Sequence, residues 1–463
     1  MIVRRQLKQL ITWLKGPRRK PIIIRGARQV GKSTLVREFA AAHALTLHEV
    51  NLERHKELRP AINSNDPEKI LQEFQLVVNR GSISSPGSIL FIDEIQSIPE
   101  ALEALRYLAE RYPDLPIVAA GSLLEFTLAD HEYSMPVGRI EYLFMGPLVF
   151  EEFILAAGED ALLEYMNHFQ MGKGEFSELA HTKLLDLYRL FCVVGGMPEA
   201  VDIYLSTRDF AATRRVHGSL VSTYRDDFAK YAKGSELARL ERMLDFISVS
   251  LGEKIIYSRV DPDAKSSDLK RALFLLHKAQ LVDLAYHSTA TTFPLRAGAN
   301  FKVFKPFYLD CGLISFINSG SKSIAEQLKG AHEGKLAEQF VAQHLIARAD
   351  PISRPELYYW LREGKQSNAE VDFIITIGSA VFPVEVKSGS AGALRSLHQF
   401  VALRSTPLAV RFSQNRPELT ELQYSLSHTG QQGKFKLLTL PLYMVGEVER
   451  LVVGHQDSAP FLL

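Results

Sequence analysis

Lys32 and Ser33 close the run IIIRGARQVGKST at residues 22–34, which sets an ammonium beside a hydroxyl at the end of a glycine-hinged loop. In the spacing GxxxxGK[ST], Gly26 and Gly31 let the backbone wrap so that successive N–H groups face phosphate oxygens. Arg28, Gln29, Val30 and Thr34 complete the loop's contacts. Lys32 can reach the β- and γ-phosphates and Ser33 can coordinate Mg²⁺, so ATP and Mg²⁺ are the expected cofactors. A second pair of reactive groups ends ILFIDEIQ at residues 89–96. Asp93 suits the magnesium shell, directly or through water, and Glu94 can accept a proton from a water attacking the γ-phosphate. Two acids there favour hydrolysis over transfer to a small acceptor; the bland alternative is a solvated strand end. Ser122, in AAGSLLEF, can touch the γ-phosphate or the attacking water, or merely cap the helix after it.

Such groups need a frame that brings them to one edge. Ile22 to Ile24 form the buried strand expected before the loop, and TLVREFAAA continues with helical spacing. ILFID and Ile117 to Ala120 are continuous apolar runs, as expected of central parallel strands whose carboxyl ends face a ligand.

A second constellation lies near the C-terminus: Glu338 in GKLAEQFVAQHLIAR, Asp372 in AEVDFIITI, and Glu385 with Lys387 in FPVEVKSG. Glu385 and Lys387 are two apart on a strand and project from one face. Asp372 comes within reach if its strand and theirs form a hairpin. Asp372 and Glu385 could bind Mg²⁺, Lys387 could orient or activate a water, and Glu338 could complete the shell. These four residue types resemble the restriction-endonuclease-like core, which serves either for phosphodiester cleavage or as a binding module. His398 and Gln399 receive no role.

Between the two constellations the chain reads as helices. EEFILAAG, ALLEYMNHF, LLDLYRLFCVV and, after a turn at Gly195, Gly196 and Pro198, EAVDIYL suit a lid. Residues 235–290 suggest a winged helix, with Ser267 capping a helix that buries Leu269, Ala272, Leu273 and Leu276 and turns Lys270, Arg271 and Lys278 outward. VDLAYHS would be a wing strand. The motif either meets DNA phosphates or packs against its neighbours.

RGARQVGKST, LFIDEIQ, AAGSLLEF and PVGRIEYLFMGPLVFEEF resemble the bacterial and archaeal AAA-type ATPases that carry a C-terminal domain of unknown function, over nearly the whole chain. The resemblance implies a strand lying between the phosphate-loop strand and the acidic strand, and a site completed by an arginine. Arg139 matches that position, sensing the γ-phosphate in its own subunit or a neighbour's; otherwise it pairs on the surface with Glu141 or Glu151. Neither a second arginine motif nor a pore-loop aromatic pattern stands out, which argues against a threading ring.

Fifty-four Lys and Arg balance 53 Asp and Glu among 463 residues, so bulk charge demands no polyanionic partner. Cys192 and Cys311 lack Cys or His neighbours at ligand spacing, against structural zinc and a disulfide framework. The basic N-terminus lacks a continuous secretory core, and Ile2, Leu7, Leu10, Ile11 and Leu14 instead stripe one helix face, for packing or for lying on nucleic acid or lipid. No apolar run reaches membrane-spanning length. The expectation is an α/β protein of the cytoplasm with four parts: a P-loop AAA-type ATPase domain (1–150), a helical lid (151–230), a winged-helix-like domain (231–310) and a restriction-endonuclease-like α/β domain (311–463). Its expected partner is ATP, with DNA, a protein and a second copy of the chain as further candidates and no membrane. Three functions fit: an ATP-hydrolysing switch acting on a nucleic-acid or protein partner, a Mg²⁺-dependent nuclease gated by ATP, or an ATP-binding scaffold.

Overall fold

The computed structural model describes residues 2–128, 138–291, 293–320, 322–330, 334–362, 369–387, 394–425 and 432–456. Five strands, β1 (Ile22–Arg25), β2 (Thr46–Asn51), β3 (Ser88–Asp93), β4 (Ile117–Gly121) and β5 (Glu141–Phe144), form a parallel sheet in the order β2-β3-β4-β1-β5. β4 thus lies between the phosphate-loop strand and the acidic strand, as the resemblance implies. Every residue of β3 and β4 is buried, because helices cover both faces and leave no position for a polar side chain. Ile22, Ile24, Phe91 and Val118 face one core, and Ile23, Leu90, Ile92 and Ala119 face the other. The first core includes the N-terminal helix Gln6–Leu14 through Leu10 and Trp13, so that amphipathic stripe is used for packing.

Eight further strands make a mixed sheet: β6 (Val282–Ser288), β7 (Ala299–Tyr308), β8 (Leu357–Leu361), β9 (Glu370–Ile377), β10 (Ala380–Val386), β11 (Leu408–Ser413), β12 (Glu418–Ser425) and β13 (Gln432–Pro441). Their order is β12-β13-β11-β10-β9-β8-β6-β7. β9 and β10 form the antiparallel hairpin that the C-terminal constellation requires, turning at Gly378, whose φ of +59° a glycine adopts without strain.

Two arrangements differ from the sequence reading. β6 and β7 do form a hairpin, but β6 pairs in parallel with β8 (Ala285 opposite Leu357), so the expected wing is the edge of the large sheet. Ser267 lies within the first turn of Ser266–Lys278, whose N-cap is Lys265, so it does not cap that helix. Helical spacing shows which positions of a helix are apolar, not which neighbour they meet. The helices Phe150–Ala156 and Glu178–Val194 share a core with the large sheet through Phe153, Phe191, Phe340 and Phe373, whereas Phe210–Phe228 packs with the first sheet's helices. The halves are also tied directly: the Phe144 N–H donates to Pro351 O at 2.6 Å.

Candidate functional site

The phosphate loop is shaped by one close approach and one left-handed backbone position. A Cβ on Gly26 would overlap Met145 O, and Gly31 has φ +95° as it starts the helix Lys32–Ala42. Lys32 is buried, and its Nζ donates to Gly26 O (3.0 Å) and Ala27 O (2.7 Å). Burial lowers its pKa to about 8, against the opposing pull of Glu94 and Asp93. Ser33 Oγ donates to Asp93 Oδ2 at 2.9 Å, and the Glu94 N–H donates to Asp93 Oδ1 at 3.0 Å. Burial and then the Glu94 charge push the Asp93 carboxyl up, while those two hydrogen bonds hold it down. Glu94 sits at φ +51°, where the strand turns sharply, and its Oε2 accepts from Ser122 Oγ at 3.4 Å and from Gln96 Nε2.

These groups meet at the carboxyl ends of three adjacent strands, around a cleft of about 540 Å³ bordered by Gln29, Lys32, Ser33, Thr34, Glu94 and Ser122. Its far rim is Pro198, Glu199 and Asp202 of the helix Pro198–Thr207. An adjacent hydroxyl and carboxylate at Ser33 and Asp93 suit a magnesium ion that keeps waters and takes its other ligands from a phosphate.

Val30 is fully buried, and its carbonyl accepts from Arg4, one of the charges of the basic N-terminus. Arg4 Nη1 to Val30 O and Nη2 to Gly146 O are both 2.7 Å, and Nε lies 3.2 Å from Glu152 Oε2. Arg28 pairs with Asp227 of the helix Phe210–Phe228 (2.7 Å), while Tyr224 Oη donates to Arg28 O (3.1 Å). Residues 222–233, STYRDDFAKYAK, therefore grip the phosphate loop, a role their sequence does not disclose.

Arg139 stands apart. It is exposed, 3.8 Å from Glu110 rather than paired with Glu141 or Glu151, and does not border the cleft. Glu151 lies elsewhere, half-buried against Gly446.

The C-terminal residues do come together. The Val386 N–H donates to Asp372 Oδ2 (2.8 Å), Lys387 Nζ pairs with Glu385 Oε1 (2.5 Å), and Glu338 lies on the helix Gly334–Arg348 packed on the sheet. Burial, then Asp372, raises Glu338 to about 8 and Glu385 to about 7, with Lys305 opposing the first and Lys387 the second. Lys305 of β7 was missed; it is buried, pairs with Glu370 and lies over the Tyr359 ring. A lysine set between Phe304 and Pro306 was its only trace in the sequence. Among the described residues no three His, Cys, Asp or Glu side chains are arranged to hold a metal. Lys387 pairs with Glu385 and Lys305 with Glu370, so of the three acids of the constellation Glu385 is the one held by a lysine.

Lys270, Arg271 and Lys278 surround a helix whose four expected apolar residues are all buried. Arg271 pairs with Glu236 at 2.7 Å, which offsets its charge. No helix among the described residues is long and apolar enough to cross a membrane.

Residues 18–154 match the family described as AAA domain. Residues 185–323 and 333–428 match two families described as domains of unknown function, DUF8612 and DUF4143. No curated protein matches. Among solved structures, one neighbour is a Signal Transduction ATPase with Numerous Domains protein with a tetratricopeptide repeat sensor from Pyrococcus horikoshii, at 15% identity and TM-score 0.25. The match covers 75% of this chain and 46% of that one. Another is C. elegans PCH-2, at 12% identity and TM-score 0.26, covering 41% of this chain and 56% of that one. The chain thus spans about half the length of these neighbours.

Proposed function

We propose that this AAA-domain protein, whose ATPase domain is followed by two domains of unknown function, binds ATP with Mg²⁺, hydrolyses it and passes the nucleotide state to its C-terminal parts. The observation that carries the reading is the convergence of Lys32, the Ser33–Asp93 pair and the Glu94–Ser122 pair on one cleft. In binding, Lys32 exchanges its loop carbonyls for phosphate oxygens, and the loop N–H groups from Gly26 to Thr34 supply the remaining donors. Ser33 and Asp93 hold the metal, which when bound neutralises charge on the phosphoryl oxygens. Glu94 takes the proton of the attacking water, and Ser122 orients it.

Arg139, exposed and outside its own subunit's cleft, serves the site of a neighbouring copy in a homo-oligomer. Arg28 and Asp227 link the phosphate loop to the helical segment, so altered phosphate contacts are felt there first. The four-part division, with a winged-helix-like third part and a nuclease-like fourth, belongs to the same proposal; so do a cytoplasmic setting and a nucleic-acid or protein partner.

Steady-state ATP turnover by size-fractionated protein, with and without DNA, tests this reading. Lys32→Ala and Glu94→Gln are each expected to abolish turnover, with Glu94→Gln retaining nucleotide binding. Unchanged turnover in both removes the assignment, and phosphate release absent from the wild type favours the scaffold. A nuclease reading draws support from the meeting of Asp372, Glu385 and Lys387, with the Lys387–Glu385 pair standing against a metal at Glu385. Cutting of labelled DNA that Asp372→Ala removes would establish it.

A further inference from the structure

Two residues beyond Glu94, Gln96 lies in the short turn Ile95–Ser97, and its carboxamide reaches back to the acid. Nε2 donates to Glu94 Oε2, the oxygen that Ser122 Oγ also approaches. The opposite orientation of the amide would set its oxygen against a carboxylate oxygen, two acceptors face to face, so the contact itself fixes which end points where.

The carboxamide also needs room. A Cβ on Gly121, the last residue of β4, would fall well inside van der Waals contact of Gln96 Oε1. β3 and β4 are neighbours in the sheet, so the glycine ending one strand makes the space for a side chain that follows the other. Gln96 Oε1 is buried, and no donor among the described residues reaches it. A glutamine serving only its turn would satisfy both ends of its amide; this one satisfies only the end that meets Glu94. A buried acceptor left without a donor is destabilising. The arrangement therefore has a local cost that the turn alone does not offset.

We infer that Gln96 is a positioning residue for hydrolysis: with Ser122 it occupies Oε2 of Glu94, so that Oε1 faces the cleft as the proton acceptor, and Gly121 is the position that admits it. This rests on the reading of Glu94 as the base. In a general-base step the acceptor oxygen must meet the water's proton at hydrogen-bonding distance, and a carboxylate free to rotate loses much of that advantage.

The test compares wild type, Gln96→Met, Gly121→Ala and Glu94→Gln, each also combined with Gln96→Met. Steady-state ATP turnover is measured with calorimetric binding of magnesium and a non-hydrolysable ATP analogue. Gln96→Met keeps length and loses the amide. It is expected to lower kcat by about 10- to 100-fold while the dissociation constant changes by less than about twofold. Gly121→Ala, which pushes the carboxamide aside, should lower kcat comparably, and its combination with Gln96→Met should be no worse than either alone. In the Glu94→Gln background, Gln96→Met should change nothing. Should Gln96→Met not fold, Gln96→Ala and Gly121→Ala carry the same comparison. Wild-type kcat in Gln96→Met, multiplicative losses with Gly121→Ala, or parallel losses of kcat and affinity would each overturn the inference while leaving the ATPase reading intact. Turnover unaffected by Glu94→Gln would instead sink both.

Discussion

Arg4 is the residue whose loss the phosphate loop should feel most. Its guanidinium joins the loop (Val30 O), the exit of β5 (Gly146 O) and the helix Phe150–Ala156 (Glu152). Arg4→Ala leaves Glu152 buried beside vacated carbonyls, and losing one partner of a buried ion pair costs on the order of 3–5 kcal/mol. Denaturant titration should show that loss, and calorimetry should show weaker binding of the ATP analogue. Arg4→Lys, which keeps the charge but cannot span both carbonyls, should fall between the two. Lys32, Ser33, Asp93, Glu94 and Ser122 were legible because their chemistry depends on short, fixed spacings. Arg4, Asp227 and Lys305 were not, since each acts on a residue far away in the chain. Gln96 was close enough to be noticed but was hidden by the acids beside it.

At the scale of elements, the GGMP turn shows how little space separates helices. A Cβ on Gly312 would stand 2.5 Å from Gly195 Cα and 2.6 Å from Val194 O, so the N-terminus of Cys311–Asn318 packs directly on backbone. Buried Asp310 caps that helix through the Gly312 and Leu313 N–H groups and accepts the Gly196 N–H at 2.6 Å. Gly312→Ala is expected to destabilise by about 1–3 kcal/mol or more, read from the denaturation midpoint, because backbone cannot step aside as a rotamer can. Asp310→Ala should destabilise too, orphaning the Gly196, Gly312 and Leu313 N–H groups and the Gln343 amide. The apolar strands of the first sheet could be read directly, because burial on two faces leaves a mark in composition, whereas the β9–β10 hairpin entered only as the condition that brings Asp372 to Glu385 and Lys387. Which core received the helices Phe150–Ala156 and Phe210–Phe228 could not, since an apolar stripe does not name its partner.

For the whole molecule, opposed sets of buried groups shape the response to pH. His217, His277 and His344 are each lowered to about 4, chiefly by burial. The fold prefers them neutral, so their contribution is complete above the ordinary histidine range and drains away as pH falls towards 4. Glu338 and Glu385 are raised to about 8 and 7, so theirs is complete below the ordinary carboxyl range and is lost as pH rises through 7 and 8. Denaturation midpoints between about pH 5 and 9 should therefore fall on both sides, and Glu338→Gln should flatten the alkaline limb alone. The cores also ignore chain order: Leu313 and Ile314 complete the same cluster that Ile22 and Ile24 begin. On the ribosome, the first sheet therefore emerges with one flank covered only in part, by the helices Gln6–Leu14 and Lys32–Ala42, until the segment carrying Leu313 and Ile314 has been made. Apolar surface left open in this way is where a nascent chain is most prone to aggregate.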